Sequence, residues 1–485
     1  MLSQTAVFTR LVRHHMGPPP ATVRDTATCG QTVALLRDAG VSSAVVTDAT
    51  DQPIGIITEQ DIVRRVAFRI DSKTPVGELM TSPVETIHEN DYLYHGIARM
   101  QRMKLRHMPV MDSSGRVVGI LNQHEALISA SGAMMRQIER LTHSDTLEGM
   151  KTTKVAQVAV AEELFADTVP APEIQAFLTR INNDLYRRIV VLCLKEMKID
   201  DWGDPPVPFE TIVMGSGGRG ESFLGPDQDN GFILSDYPDA EHSRVDAWFI
   251  ELAGRMTKAL DEVGFDLCPG HVMATNPLWR KTLTQWKTQI DSWVGKGAGT
   301  VVRLCDIFFD FISVYGNGRM ADELREHVTH VARRRFFLRE MYRVDEEHGV
   351  ALGFFGRLQI DRKSGPNRGN INLKLTGTLP LVGAVRLLAL RDGIADTSTL
   401  GRARALRANG VLTDDEYDYL KGAFDHTTNL LLRQQLNDFR AGRPIGKHVV
   451  PSSLTKRETD MLVDGFRAIR AFRRRVRAEL TAEVF

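Results

Sequence analysis

An internal repeat with a constant shift of 64 residues covers residues 16–128 and constrains the fold more than any other feature of this chain. The shift needs no gap, and it pairs Met16 with Met80, Thr22 with Thr86, Val46 with Val110, Asp48 with Asp112 and Gly55 with Gly119. Each copy is predicted to run strand, helix, strand, turn, strand, helix, with strands at 43–47 and 53–57 in the first copy. Two copies that bury a shared apolar face predict one domain.

This repeat resembles a tandem pair of CBS domains over its whole length. In that family the segment that corresponds to residues 55–61, GIITEQD, lies against an adenine nucleotide, which implies that Thr58 and Asp61 lie near the ribose and phosphate. An aspartate can accept from both ribose hydroxyls. Asn122 and Glu125 replace this pair in the second copy, so we expect at most one good nucleotide site. The alternative is that Thr58 caps a helix and Asp61 supports its first turn. The resemblance also implies a homodimer formed through the CBS pair.

A second informative stretch is residues 209–234, FETIVMGSGGRGESFLGPDQDNGFIL. The pattern predicts a strand at 209–214, a glycine-rich turn that opens a short helix, and a second strand that carries Asp227 and Asp229. Successive strand residues point to opposite faces, so these carboxylates share one face at a separation of roughly 6 to 7 Å along the chain. Such a pair leaves room for hard cations and predicts Mg²⁺ or Mn²⁺ as the cofactor.

The glycine-rich turn is predicted to bind phosphate. Gly215 and its glycine neighbours let the backbone approach closely and aim N–H groups outward, which forms an anion cradle. The side chains of Ser216 and Arg219 would add donors to phosphate oxygens. The alternative interpretation is a plain glycine turn followed by solvated aspartates.

A Gly-Ser pair, a spacer of about ten residues and Asp-x-Asp on a strand resemble the nucleotidyltransferase superfamily that includes DNA polymerase beta and the PII uridylyltransferases. Within it, GSGGRGESFLGPDQDN is most similar to the bacterial CBS-linked putative nucleotidyltransferases, which are related to the amino-terminal region of the PII uridylyltransferases. The resemblance implies transfer of a nucleoside monophosphate from an NTP to a hydroxyl acceptor, with a protein as the expected acceptor. PII uridylyltransferases also carry a phosphohydrolase domain with a His-Asp pair. No His-Asp dipeptide occurs in this sequence, so we expect no demodifying activity.

The family chemistry calls for a third carboxylate on the next strand. A helix predicted at 240–263 is followed by a short apolar segment that carries Asp266, which is the first candidate. Asp306 and Asp310 are the competing candidates, in the apolar run 304–311, which fits either a strand or a buried helix. If none of them reaches the metals, the site would bind nucleotide without turning it over.

The expected fold class is α/β and α multidomain, because 485 residues are too many for a single core. The predicted domains are a tandem CBS pair at 1–132, a helical connector at 133–205, a polymerase-beta-like nucleotidyltransferase α/β domain at 206–325 and a helical carboxy-terminal domain at 326–485. In the last of these, Lys374 would either reach a triphosphate as a point charge or be an ordinary solvated lysine.

Composition restricts the remaining possibilities. A net charge of zero argues against a dedicated nucleic-acid binder. No apolar run approaches the eighteen or so residues that cross a bilayer, so no membrane partner is expected. The four cysteines are far apart and include no CxxC pair, which fits a reducing cytoplasm. Two other functions remain open: a non-catalytic nucleotide sensor that signals through partner binding, and a nucleic-acid-modifying transferase, which requires a basic groove.

Overall fold

The computed structural model describes residues 11–58, 61–62, 71–123, 126, 146–296, 299–353, 356–362 and 365–481, without the side chains of 299–301. The chain divides into two compact units, residues 1–143 and residues 144–485. Its strands are β1 (Ala21–Arg24), β2 (Ser43–Thr47), β3 (Pro53–Thr58), β4 (Ile87–His88), β5 (His107–Met111), β6 (Val117–Asn122), β7 (Phe209–Val213), β8 (Asn230–Leu234), β9 (Arg280–Thr282), β10 (Ile312–Tyr315), β11 (Ile371–Asn372) and β12 (His448–Val449).

The longer helices of unit 1 are α1 (Cys29–Ala39) and α2 (Leu93–Met103). Those of unit 2 are α3 (Leu147–Ala166), α4 (Ala171–Ile199), α5 (Gly215–Arg219), α6 (His242–Val263), α7 (Leu283–Lys296), α8 (Gly299–Phe308), α9 (Arg319–Val331), α10 (Arg335–Asp345), α11 (Leu379–Arg391), α12 (Thr399–Ala408), α13 (Asp414–Arg440) and α14 (Lys456–Thr481).

Unit 1 confirms the predicted repeat. Its two three-stranded sheets have the same order, β1-β2-β3 and β4-β5-β6, and the strands β2 and β3 recur as β5 and β6 at the shift read from the sequence. The copies also exchange equivalent contacts: Ile56 bridges to Thr81 in the second copy, while Gly17 bridges to Ile120. Because the two bridges are related by the same shift, the copies pack in a reciprocal manner.

Unit 2 is built on a four-stranded sheet in the order β10-β7-β8-β9. The central strands β7 and β8 run antiparallel, and every residue in both is buried, including the polar residues Glu210, Thr211 and Asn230. Helix α6 presents a buried stripe at helical spacing that includes Phe249, Leu252 and Met256. It ends at Gly264, which takes the left-handed conformation of a C-cap, as the sequence predicts.

Two local predictions around this sheet differ from the structure, and a third point that the sequence leaves open is decided by it. Strand β8 begins at Asn230, after both aspartates, because the chain turns between Asp227 and Asp229 before it joins the sheet. The segment around Asp266 makes an isolated parallel bridge to Asp227 in place of a strand. The apolar run 304–311 belongs mostly to helix α8, so the helical alternative is correct.

The carboxy-terminal part of unit 2 is helical, as predicted. Helix α11 is buried along nearly its whole length, and helices α13 and α14 pack against each other. The fold is therefore a repeated pair of α/β copies, followed by a region built on a four-stranded sheet and a helical carboxy terminus. Within the described ranges, no helix is both long enough and apolar enough to span a bilayer.

Candidate active site

The candidate site lies where β7 passes into α5 and the chain returns to β8. The backbone N–H of Met214 donates to the carbonyl of Asp229 at 2.9 Å, which extends the β7–β8 ladder beyond Val213 and Asn230. This pairing brings the Asp229 side chain onto Gly215, where a Cβ atom would lie 3.1 Å from the carboxylate. Gly215 also has a φ of +60°, so both its backbone conformation and this close approach favour glycine.

Gln228 fixes the segment that carries the two aspartates. Its side chain is fully buried, and its amide Nε2 donates to the carbonyls of Phe265 at 2.9 Å and Thr257 at 3.2 Å. The N–H of Asp229 donates to the carbonyl of Asp227 at 3.1 Å, which makes a tight turn around Gln228. With Gln228 directed into the core, both aspartates line one cleft.

The cleft lies entirely within unit 2. It is lined by Asn182, Asn183, Tyr186, Val213, Met214, Ser216, Gly217, Ser222, Pro226, Asp227, Asp229 and Phe265. The structure therefore brings Asp227, Asp229 and Ser216 together, as the sequence analysis expects.

The electrostatics of the aspartate pair suit a cation. The pKa of Asp229 is raised to about 6: burial is the main cause, a hydrogen bond from the Cys268 thiol lowers the pKa, and the negative charge of Asp227 raises it. A divalent cation would relieve both the burial of this carboxylate and its repulsion from Asp227. Two carboxylates are also a common protein contribution to Mg²⁺, which takes its remaining ligands from water and substrate phosphates.

Two lysines from the carboxy-terminal region face the aspartates. Strands β11 and β12 pair Asn372 with His448, and this brings Lys374 and Lys447 close together. Lys447 Nζ lies 4.0 Å from Asp227 Oδ2. Burial lowers the pKa of Lys374, and the charge of Lys447 lowers it further, while Asp227 and Asp229 oppose the shift. Sequence reasoning finds Lys374 but misses Lys447, since only the β11–β12 pairing places it here.

Arg219 is not among the residues that line the cleft, although the sequence analysis expects it to bind phosphate there. It is buried, with Nε 2.7 Å from Glu221 and Nη1 2.9 Å from Asp310. Asp310 has no exposed surface and also pairs with Arg386 and Arg402 from helices α11 and α12, both at 2.7 Å. Arg219 thus joins an ionic cluster that ties the glycine turn to the carboxy-terminal helices.

The glycine turn and the residues after it also contact the chain at the start of helix α12. Thr397 Oγ1 donates to the carbonyl of Gly218 at 2.8 Å, and the N–H of Thr399 donates to Glu221 at 2.7 Å. A Cβ atom at Gly218 would collide with the backbone carbonyl of Asp310. The turn therefore fits tightly between the sheet and the chain segments that follow it.

Asp266, the first candidate for the third carboxylate, lies beside Asp227 through a parallel bridge. Its backbone carbonyl accepts from the N–H of Gln228 at 2.9 Å, but its exposed side chain does not line the cleft. Its charge acts on the buried ammonium of Lys154. Of the alternatives, Asp310 is buried among arginines, and Asp306 pairs with Arg386. Over the described part of the chain, no group of three His, Cys, Asp or Glu side chains is arranged to hold a metal.

The predicted CBS ligand residues Thr58 and Asp61 contact each other. Asp61 Oδ2 accepts from the Thr58 hydroxyl at 2.8 Å and from its N–H at 3.1 Å, while Thr58 Oγ1 accepts from the N–H of Asp61 at 3.2 Å. These contacts form a capping arrangement at the start of the next helical segment. Glu125, the counterpart of Asp61 in the second copy, lies outside the described residues.

A paired CBS unit, a glycine turn and two aspartates on a common cleft define the class of a CBS-linked nucleotidyltransferase-type protein. Three family models match the chain: "CBS domain" at residues 12–67 and 76–131, "Putative nucleotidyltransferase DUF294" at 156–300 and "Putative nucleotidyltransferase substrate binding domain" at 335–480. The chain belongs to the CBS-linked putative nucleotidyltransferase family. The last of these models includes both Lys374 and Lys447.

Curated relatives match only part of the chain. An uncharacterized protein, MK0525, from Methanopyrus kandleri is 30% identical over 104 residues, which cover 21% of this chain and 53% of that protein. An L-aspartate semialdehyde sulfurtransferase from Methanocaldococcus jannaschii is 28% identical over 115 residues, 24% of this chain and 22% of that protein. The chain thus spans about half the length of the first of these relatives and less of the second.

Among solved structures, a CBS domain protein from Pyrobaculum aerophilum, PAE2072, complexed with AMP, is similar to this chain. It is 25% identical, with a TM-score of 0.24, and the match covers 27% of this chain and 98% of that one.

Proposed function

We propose that this protein is a Mg²⁺-dependent nucleotidyltransferase that moves a nucleoside monophosphate from an NTP to a hydroxyl acceptor. The observation that carries the proposal is that Asp227 and Asp229 line one cleft beside the glycine turn, with Lys447 Nζ 4.0 Å from Asp227 and Lys374 near enough to interact with both carboxylates. In the reaction, the acceptor oxygen forms a bond to the α-phosphorus, the α–β phosphoanhydride bond breaks, and pyrophosphate and the acceptor's proton leave.

Asp227 and Asp229 would hold the metal, and their arrangement supports this role. Mg²⁺ or Mn²⁺ bound there supplies charge neutralisation at the triphosphate and lowers the pKa of the attacking hydroxyl. Gly215 and Ser216 would contact phosphate oxygens from the turn. Lys374 and Lys447, which lie near the aspartates, would bind the triphosphate, and Arg219 supports the turn through Glu221 and Asp310.

The acceptor in this proposal is a protein, as in the related uridylyltransferases, and an adenine nucleotide at Thr58 and Asp61 regulates the reaction. The preformed Thr58–Asp61 pair supports this second site, because a fixed carboxylate can receive ribose hydroxyls without reordering. Regulation requires that the nucleotide bind one conformation of the protein better than another. We further propose a cytoplasmic homodimer formed through the CBS pair.

A second candidate function is a non-catalytic nucleotide sensor. It is favoured by the lack of a three-ligand metal cluster among the residues that the structure describes, since the related transferases use a third carboxylate. In that case the cleft would bind an NTP and the output would be contact with a partner protein.

The deciding experiment incubates the protein with each α-labelled NTP, Mg²⁺ or Mn²⁺, and extract of the source cells. The enzyme proposal expects a labelled macromolecule, and Asp229→Asn should reduce its formation by about a hundredfold or more. Asp261→Asn, on the exposed surface of α6, is the matched control and should retain transfer. NTP binding without any transfer would favour the sensor, and transfer that survives Asp229→Asn would refute the mechanism.

A further inference from the structure

A stripe of polar side chains runs along one face of helix α4, which is otherwise rich in buried apolar residues. Gln175, Thr179, Asn182 and Tyr186 follow one another at spacings of four, three and four residues, which is the spacing of a single helical face. All four are at least 97% buried. Because a buried polar group needs a partner, such a stripe needs an explanation.

The first half of the stripe holds the chain just after the glycine turn. Gln175 Nε2 donates to the carbonyl of Glu221 at 3.0 Å, and the N–H of Ser222 donates to Thr179 Oγ1 at 2.8 Å. These two side chains therefore bind backbone that the turn leaves unpaired, and their role is structural.

The second half of the stripe lines the cleft. Asn182 Oδ1 accepts from the Lys154 ammonium at 2.7 Å, which fixes the amide so that its NH₂ group points away from Lys154. This NH₂ group is buried without a hydrogen-bond partner in the described part of the chain, whereas the buried Tyr186 hydroxyl lies close enough to the Asn230 amide for that amide to lower its pKa. Both residues line the same cleft as Asp227 and Asp229.

The chemistry of this side of the cleft differs from that of the lysine side. Asn182 and Tyr186 are neutral, and burial raises the pKa of Tyr186, so its hydroxyl stays protonated. The Phe265 ring, which also lines the cleft, lies edge-on to Tyr186 with 5.0 Å between centroids and adds an apolar surface. Neutral donors beside an aromatic ring suit carbonyl oxygens, ring nitrogens and hydroxyls, whereas Lys374 and Lys447 suit phosphates.

We propose that the Asn182–Tyr186 face of α4 binds the nucleoside portion of the NTP. Asn182 donates through Nδ2 to an acceptor on the base or ribose, and the Tyr186 hydroxyl makes a second polar contact with the same portion. Lys154 acts as a positioning residue because it holds the Asn182 amide. This inference rests on the proposed function, since it requires an NTP whose phosphates lie at the aspartate and lysine side.

The test compares binding of the four NTPs with binding of inorganic tripolyphosphate, each with Mg²⁺, by isothermal titration calorimetry of the full-length protein. Asn182→Ala and Tyr186→Phe should each weaken the preferred NTP roughly three- to tenfold, as expected for one lost hydrogen bond, and leave tripolyphosphate binding unchanged. Lys374→Ala is the contrasting variant and should weaken both ligands. Thermal melting of each variant checks that the fold is retained, and Tyr186→Phe keeps the ring that packs on Phe265.

Wild-type protein that binds the NTPs no more tightly than tripolyphosphate would overturn the inference while the proposed function stands. Folded variants that bind the NTP as well as wild type would do the same. An equal loss of NTP and tripolyphosphate binding in both variants would also overturn it, since the stripe would then act on the phosphates. Wild-type protein that binds neither ligand would reject the proposed function together with this inference.

Discussion

The carboxylate of Asp310, which has no exposed surface, lies 2.9 Å from Nη1 of Arg219 at the end of the glycine turn. The same carboxylate pairs with Arg386 and Arg402, so one buried carboxylate contacts three buried arginines from three helices. Removing one partner from a buried ionic cluster leaves uncompensated charge, which costs more than the cluster contributes when it is complete.

Asp310→Asn should therefore destabilise the protein strongly. We expect the free energy of unfolding to fall by about 3 to 5 kcal/mol, measured by urea denaturation. Asp306→Asn is the matched control, because Asp306 contacts the same Arg386 but is 46% exposed, and it should cost under about 1 kcal/mol. Equal losses in the two variants would contradict the central role of Asp310.

Adjacent glycines in the turn should respond differently to alanine. A Cβ atom at Gly218 would collide with the backbone carbonyl of Asp310, which cannot rotate away, whereas a Cβ atom at Gly217 would meet Val213 at an ordinary 3.5 Å. Gly218→Ala should lower the melting temperature and the yield of folded protein, and Gly217→Ala should melt near the wild-type temperature. A Gly218→Ala protein as stable as wild type would show that the turn is looser than described.

The two lysines should contribute unequally to NTP binding. Lys374 is the more buried, so its charge is less screened, while the side chain of Lys447 is 51% exposed. We expect Lys374→Ala to weaken NTP binding at every salt concentration and Lys447→Ala to weaken it mainly at low salt. Titration calorimetry at low and high salt measures both effects. Lys258→Ala, on the exposed face of α6, serves as the control and should have none.

The buried ammonium of Lys154 should make stability depend on pH. Burial lowers the pKa of Lys154 to about 7 from the ordinary 10.5, although the negative charge of Asp266 opposes the shift. Between those two values the unfolded state binds more protons than the folded state, so the free energy of unfolding should rise with pH, by about 2 kcal/mol from about pH 7 to about pH 9.

Urea denaturation at the two pH values measures this gain, which Lys154→Met should lack. Lys258→Met, at an exposed lysine, should keep it. If Lys154→Met gains as much stability as wild type, the Lys154 amine is not the group that titrates.

At the CBS pair, Asp61→Asn should separate ligand binding from capping. Asparagine can still accept from the Thr58 hydroxyl, so unit 1 should keep most of its stability, but the negative charge that would bind ribose hydroxyls is lost. We expect AMP, ADP or ATP to raise the melting temperature of wild type, and the variant to bind about tenfold more weakly.

Asp48→Asn is the control that tests whether a loss of stability alone weakens nucleotide binding. Asp48 holds a turn in unit 1 because its carboxylate accepts from the N–H groups of Thr50 and Gln52. It should destabilise unit 1 without changing nucleotide affinity. Unchanged nucleotide affinity in Asp61→Asn would leave Asp61 with capping as its whole role.

Local patterns predict much of this fold. The repeat shift predicts the positions of β2, β3 and their counterparts, because similar sequences form similar local structure. Helix α6 ends at Gly264, since glycine readily takes the left-handed backbone conformation of a C-cap. The common cleft for Asp227 and Asp229 is also predicted, although the reason differs: a turn around buried Gln228 takes the place of regular strand alternation.

What the sequence does not predict depends on distant pairing. Arg219 is drawn to Asp310, 91 residues away, and Lys447 reaches the site through a strand pair that no local periodicity reveals. The polar stripe on α4 is visible as a spacing, but it lies among apolar residues whose stronger periodicity dominates the interpretation of that helix.

The anchoring of Gln228 has a consequence for how the cleft can adapt. Because its amide donates to the carbonyls of Thr257 and Phe265, the backbone that carries the two aspartates is held against the last part of α6 and the residues that follow it. The segment that carries Asp227 and Asp229 is thus held firmly. We therefore expect the region around Lys374 and Lys447 to accommodate different substrates. Natural variation in substrate choice among relatives should accordingly accumulate around β11 and β12, with the Asp-Gln-Asp segment held constant.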